Sequence, residues 1–239
     1  MTLREPQDGV RRELLADNLR AVEERIARAC AAAGRQREEV TLIVVTKTYP
    51  ASDLDLLVDL GVTDVGENRH PEAGQKLAEL AGPAPRLHFI GGLQTNKAAA
   101  VARYADVVQS VDRARLVDGL SRGAEQAGRE LACLVQVDFG ESGLGRSGVA
   151  PDEVEALADL VARSAGLRLD GVMTVAPLGE DPRTSFEALV AISENLRREH
   201  PAATVISAGM SDDFEQAIQS GATHLRVGRL ILGERVPLR

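Results

Sequence analysis

Lys47 closes an apolar run, Leu42-Ile43-Val44-Val45-Thr46. A lysine at the end of a buried strand is an amine held where its charge is disfavoured. A neutral amine is the nucleophile that Schiff-base chemistry requires. Position alone leaves a plainer alternative open, a lysine whose ammonium returns to solvent along its apolar stem. A second group of residues lies far along the chain. Ser207-Ala208-Gly209-Met210-Ser211 runs into Asp212-Asp213, and small residues with backbone N–H groups ahead of a helix suit a phosphate. Ser211 by itself reads as a helix cap, with the two aspartates favouring the helix dipole. Gly228 allows close backbone approach. Arg226, two residues earlier, needs a partner if buried: a ligand's ring nitrogen or phosphate, or a carboxylate such as Glu67 or Asp138.

Weaker signals lie between these groups. Gly66-Glu67-Asn68 puts a carboxylate and an amide at the end of a short apolar run, where a turn with a helix cap explains them equally well. His88, between Leu87 and Phe89, reads as a satisfied core or rim histidine rather than a catalyst. Asn96 and Lys97 open a helical stretch, with Lys97 a candidate anion contact. The segment from Gly140 to Gly148 is glycine-rich but lacks the strand–GxGxxG–helix phasing of a dinucleotide site and has no Walker lysine. It reads as a mobile loop over the mouth of the fold.

The elements that must position these residues alternate. After a helical stretch from about residue 8 to 34, ended by Gly34, strand-like runs fall at Val40–Thr46, Val62–Gly66, Leu87–Ile90, Asp106–Gln109, Ala132–Val137, Leu167–Met173, Thr204–Ile206 and Thr223–Val227. Helical candidates start near Ala51, Arg69, Thr95, Arg113, Pro151, Arg183, Asp212 and Leu230. Eight strand–helix units imply an α/β protein with a parallel sheet, and at this length a closed (β/α)8 TIM barrel with an extra N-terminal helix. One domain over residues 1–239 is expected, the barrel beginning near residue 40. Active sites of such barrels lie at the C-terminal ends of the strands, where Lys47, Asn68, Ser207 and Arg226 all fall.

Composition narrows the class. A net charge of −8 and 3% aromatic residues, with no Trp, supply neither the basic footprint nor the stacking platforms of a nucleic-acid binder. No apolar run is long enough to span a bilayer, and the charged N-terminus has no signal-peptide core. A cytoplasmic address is the default expectation, with no membrane partner. Cys30 and Cys133 have neither metal nor redox spacing and read as small buried residues.

Taken in order, Val44-Val45-Thr46-Lys47-Thr48-Tyr49-Pro50, Gly66-Glu67-Asn68, the segment from His88 to Lys97, Ser207 to Asp213, and Arg226-Val227-Gly228 with Gly233 resemble the pyridoxal 5′-phosphate (PLP) homeostasis protein family, the group of the bacterial YggS proteins and the proline synthase co-transcribed homologue. The resemblance covers nearly the whole chain, from about residue 8. It implies a fold-type III PLP barrel related to the N-terminal domain of alanine racemase. It also implies that Lys47 carries PLP as a Schiff base and that Asn68 lies near the ring. Ser207, Gly209 and Met210 would form the phosphate loop, completed by Gly228 and the backbone of Arg229. Arg226 would face the pyridine nitrogen and keep it unprotonated, which makes the ring a poorer electron sink and disfavours broad catalysis. The chain departs from the family pattern at Arg69-His70-Pro71, at Thr95 and at Arg229, where the resemblance implies a backbone rather than a side-chain contact.

The reading that follows is a PLP-binding protein of intracellular PLP homeostasis, expected as a monomer, which buffers the cofactor or delivers it to PLP-dependent apo-enzymes. Binding is favoured over catalysis. Two alternatives remain open at this point. A racemase-like enzyme would need a second acid/base group opposite Lys47, and neither Tyr49 nor Tyr104 is obviously placed for it. The β-domain of alanine racemase also has no room in this chain. A PLP-free lyase or aldolase would join Lys47 directly to a sugar-phosphate carbonyl.

Overall fold

The computed structural model describes residues 5–140 and 147–233. Residues 141–146 of the glycine-rich segment lie outside the described residues. Helix α1, Glu5–Ala32, is followed by β1 (Thr41–Val45), α2 (Ala51–Asp59), β2 (Asp64–Glu67), α3 (Glu72–Ala78), β3 (Arg86–Phe89), α4 (Ala98–Val101) and β4 (Val107–Val111). Then come α5 (Ala114–Ala127), β5 (Leu131–Val137), α6 (Val154–Arg163), β6 (Leu167–Thr174), α7 (Pro182–Glu199), β7 (Val205–Ser207), α8 (Phe214–Ser220), β8 (His224–Val227) and α9 (Arg229–Leu232). The eight strands form a closed parallel barrel in sequence order. Closure comes from β1 against β8, in register from Thr41↔His224 to Val44↔Val227.

The expected architecture is present, and the differences are at element ends. The second strand starts at Asp64 and ends at Glu67, so Glu67, expected just beyond it, sits on it, while Asn68 follows it. The third helix starts at Glu72, three residues after the expected start near Arg69, with Pro71 at its cap position. The eighth helix starts at Phe214, with Asp213 as its cap residue. Ser211 is therefore not the cap. The Asp213 carboxylate instead accepts the Met210 N–H at 2.6 Å.

Strand alternation divides the core in two. Val44, Val65, Leu87, Val108, Cys133, Val172 and Leu225 face outward and are buried under the helices. The residues between them point into the barrel, where Val107, Ala132, Leu134 and Met173 form a separate apolar cluster joined by Val205. The other half of the interior is polar. His88, Gln109, Ser207 and Arg226 are all buried there. Cys30 and Cys133 are buried free thiols, and burial pushes both up.

Helix α1 lies across the outside and ties together the two ends of the barrel's circuit. Leu15, Val22 and Ile26 are buried beneath it, while Leu14 is exposed. Arg11 pairs with Asp53 of α2 at 2.6 Å and also donates to the Leu232 carbonyl of α9 at 3.1 Å. Asn18 donates to the Ile231 carbonyl at 2.9 Å. Arg25 pairs with Glu215 of α8 at 2.6 Å.

His224 and His88 face each other near the N-terminal end of the barrel, with ring centroids 6.3 Å apart. Burial, then the neighbouring His88, pushes His224 down to about 4. Burial also lowers His88, against the pull of Asp64. A base whose folded pKa lies below its unfolded value takes up its proton on unfolding. Stability is therefore lost as pH falls from about 6.5 towards 4, by about 2 kcal/mol for His224 between pH 7 and pH 5. Denaturation at these two pH values should show this loss, and His224→Asn should reduce it. An equal loss in the variant would assign the acid sensitivity to other groups.

Candidate functional site

Lys47 stands in the turn after β1 and is half-buried. The turn is held from behind. Thr46 Oγ1 donates to the buried Glu67 carboxylate at 2.7 Å, and Lys76 of α3 donates to the same carboxylate at 2.5 Å and to the Thr46 carbonyl at 2.8 Å. One buried carboxylate and one ammonium thus fix the peptide immediately before Lys47. The chain turns sharply beyond it, with Thr48 at φ 73°. Tyr49 then reaches over to donate its hydroxyl to the Gly233 carbonyl at 2.7 Å.

The cavity at this mouth has a volume of about 480 Å³. Lys47, Tyr49 and Ile90 line it after β1 and β3, and Met210, Ser211, Asp212, Arg226, Gly228 and Arg229 line it from the ends of β7 and β8. Two glycines bring the backbone close. A Cβ on Gly228 would sit 2.9 Å from the Val45 carbonyl oxygen, and one on Gly209 (φ 91°) 2.7 Å from the Ala217 Cβ. Either side chain would push a rim loop away from the barrel.

Of the residues singled out from the sequence, Lys47, Met210, Arg226, Gly228 and Arg229 line this cavity. Ser207 and Gly209 are buried behind it. Asn68 is half-buried, and its backbone packs on Gly91, where a Cβ would meet the Asn68 carbonyl oxygen at 2.3 Å. Arg229 pairs with Asp212 at 2.5 Å across the rim. Lys97 is exposed on the turn Thr95–Lys97, outside the cavity lining.

Arg226 is 4% exposed. Neither carboxylate named from the sequence pairs with it. Glu67 is taken by Lys76 and Thr46, and Asp138 accepts the Gly140 N–H at 3.0 Å. The guanidinium instead donates to the Ser207 hydroxyl and to the Thr174 carbonyl, each at 2.7 Å. Burial pushes it down to about 10, with Asp213 opposing, so it remains a cation at neutral pH. Ser207 Oγ passes its own proton to Gln109 Oε1 at 2.7 Å. Gln109 Nε2 lies 3.0 Å from His88 Nδ1, and His88 Nε2 lies 2.8 Å from Asp64 Oδ1. His88 is therefore a satisfied interior histidine. Gln109 and Thr174 were missed from sequence, where each is one polar residue near the end of an apolar strand.

The alanine racemase N-terminal domain family model matches residues 18–236. Two relatives are named pyridoxal phosphate homeostasis protein. The one from Mycobacterium bovis is 38% identical, over 92% of this chain and 93% of its own. The one from Escherichia coli K12 is 36% identical, over 92% and 97%. The chain belongs to the pyridoxal phosphate homeostasis protein family. A solved structure of PipY from Synechococcus elongatus, described as having PLP bound, is 30% identical and superposes with a TM-score of 0.80, over 92% of this chain and all of that one. Alanine racemase from Corynebacterium glutamicum shares the fold at 18% identity and a TM-score of 0.66, with 62% of its length covered.

The family's barrel is thus built here with Lys76 and Glu67 as the fixed base of the Lys47 turn. Lys76→Met should leave the Glu67 carboxylate buried without its cation, at a cost of about 3 kcal/mol in denaturant unfolding. Adding Glu67→Gln should recover a large part of that. Strict additivity of the two changes would mean that the residues do not act as a pair.

Proposed function

We propose that this chain binds PLP through Lys47 and serves PLP homeostasis, holding the cofactor and releasing it to PLP-dependent apo-enzymes. The observation that carries the reading is the meeting, in one cavity of about 480 Å³, of a strand-end lysine, a cationic arginine and two glycine-bearing rim loops. The group fits this chemistry. An amine, a buried guanidinium, rim-loop backbone and Ser211 line the same cavity. When bound, PLP supplies an aldehyde that condenses with the Lys47 amine. Arg226, already donating to Ser207 and Thr174, presents a cation to the ring edge. A cation there holds a ring nitrogen unprotonated and weakens the ring as an electron sink.

Support for holding rather than turnover comes from the tyrosines. Tyr49 gives its hydroxyl proton to the Gly233 carbonyl. Tyr104 lies 3.3 Å from His70 Nδ1, away from the cavity lining, and burial followed by Glu67 and Glu72 pushes it up to about 12. Racemisation needs a second proton carrier facing Lys47, and neither hydroxyl is arranged as one.

The direct test is the absorption spectrum of the purified protein before and after borohydride, followed by peptide mapping. A visible band that borohydride removes, with PLP trapped on Lys47 and lost in Lys47→Ala, supports the reading. No band after PLP is added would favour a lysine that condenses with a sugar-phosphate carbonyl. Ser211 lines the cavity while the Ser207 hydroxyl is turned inward, so the two serines should separate. Ser211→Ala should weaken PLP several-fold more than pyridoxal, whereas Ser207→Ala, acting through Arg226, should weaken both alike. The reverse pattern would move the phosphate contact to Ser207.

A further inference from the structure

The polar half of the barrel interior is a single line of hydrogen bonds, and its direction follows from its two ends. At one end the Arg226 guanidinium can only donate, and it donates to Ser207 Oγ at 2.7 Å. At the other, the Asp64 carboxylate accepts from His88 Nε2 at 2.8 Å. A neutral imidazole protonated on Nε2 has only a lone pair on Nδ1, so Gln109 must turn its amide N–H towards His88 (3.0 Å) and its carbonyl towards the Ser207 hydroxyl (2.7 Å). Every proton then points the same way, from Arg226 on β8 through Ser207 on β7, Gln109 on β4 and His88 on β3 to Asp64 on β2. The opposite amide orientation would place two donors on Ser207 Oγ. It would also require either an imidazolium or a bare Nε2 lone pair against the Asp64 carboxylate.

We propose that His88 and Gln109 are positioning residues for the ring-facing arginine: they complete a one-way hydrogen-bond chain that fixes the Arg226 guanidinium from behind and commits the Ser207 proton to Gln109. Neither residue lines the cavity. They act through Arg226, whose NH1 is set by Ser207 and whose NH2 is set by the Thr174 carbonyl. With both nitrogens tied, the guanidinium plane cannot rotate without breaking a bond inside a closed barrel. The proposal rests on the reading that Arg226 faces bound PLP.

The test has two arms. In the unliganded protein, long-range proton–nitrogen NMR at pH 7.5 should show His88 neutral and protonated on Nε2. An Nδ1-protonated ring or an imidazolium there would overturn the chain. In the PLP-loaded protein, Gln109→Met keeps the side-chain length and removes both bonds. Its PLP dissociation constant should rise about tenfold and its visible band should shift, with unchanged far-UV circular dichroism. Gln109→Glu keeps the acceptor for Ser207, so it should retain most of the affinity while His88 gains a proton on Nδ1. Wild-type affinity and spectrum in Gln109→Met would overturn the positioning role. Failure of borohydride to trap PLP on Lys47 in the wild type would instead remove the functional reading and the cofactor half of this proposal with it, while the NMR arm still judges the chain of bonds itself.

Discussion

A guanidinium buried in the middle of a closed barrel is the constraint around which this interior is organised. Taking a cation out of water costs several kcal/mol unless fixed dipoles replace the lost hydration. Among the described residues, no carboxylate pairs directly with Arg226. The compensation comes from a hydroxyl, a backbone carbonyl and the more distant charge of Asp213. That choice leaves the cation unneutralised and available to the cavity, because a directly paired carboxylate would have cancelled most of its field.

The rest of the interior divides accordingly. One side is apolar, from Val107 to Met173, and the other carries the polar side chains. The barrel wall therefore gives the arginine a low-dielectric face and a hydrogen-bonded face. The lysine wall uses a different solution. There the ions are Glu67 and Lys76, matched one to one at 2.5 Å and placed under the turn rather than in the cavity. A neutralised pair gives rigidity to the backbone before Lys47. An unneutralised arginine gives field. The Lys47 turn and Arg226 thus contribute position and potential separately.

The repeating pattern of β-branched runs and helical stretches was enough to read the barrel, because strands of a parallel barrel are buried on both faces and read as short continuous apolar runs between amphipathic helices. It was not enough to place the inner face. Gln109 is the middle residue of β4, which is buried throughout, and Thr174 ends β6, whose last four residues are all buried, so no polar–apolar alternation marks them. The Arg226 partners were also out of reach, since Ser207 and Thr174 meet it only when β6, β7 and β8 are side by side. At the rim, Ser211 and Ser207 carry the same hydroxyl four residues apart. Only the path of the loop through Gly209 tells which one faces the cavity and which faces inward.

The ion pair beneath the Lys47 turn also bears on chemical selectivity. The chain has only three lysines, Lys47, Lys76 and Lys97, against a far larger number of arginines. Guanidinium groups do not form stable imines with aldehydes under neutral conditions, and the Lys76 amine spends its protons on Glu67 and the Thr46 carbonyl. A reactive aldehyde meeting this surface therefore finds very few amines to stray onto. The Lys76–Glu67 bond thus does more than brace a turn: it ties up the amine that lies beneath Lys47 and would compete with it for an aldehyde.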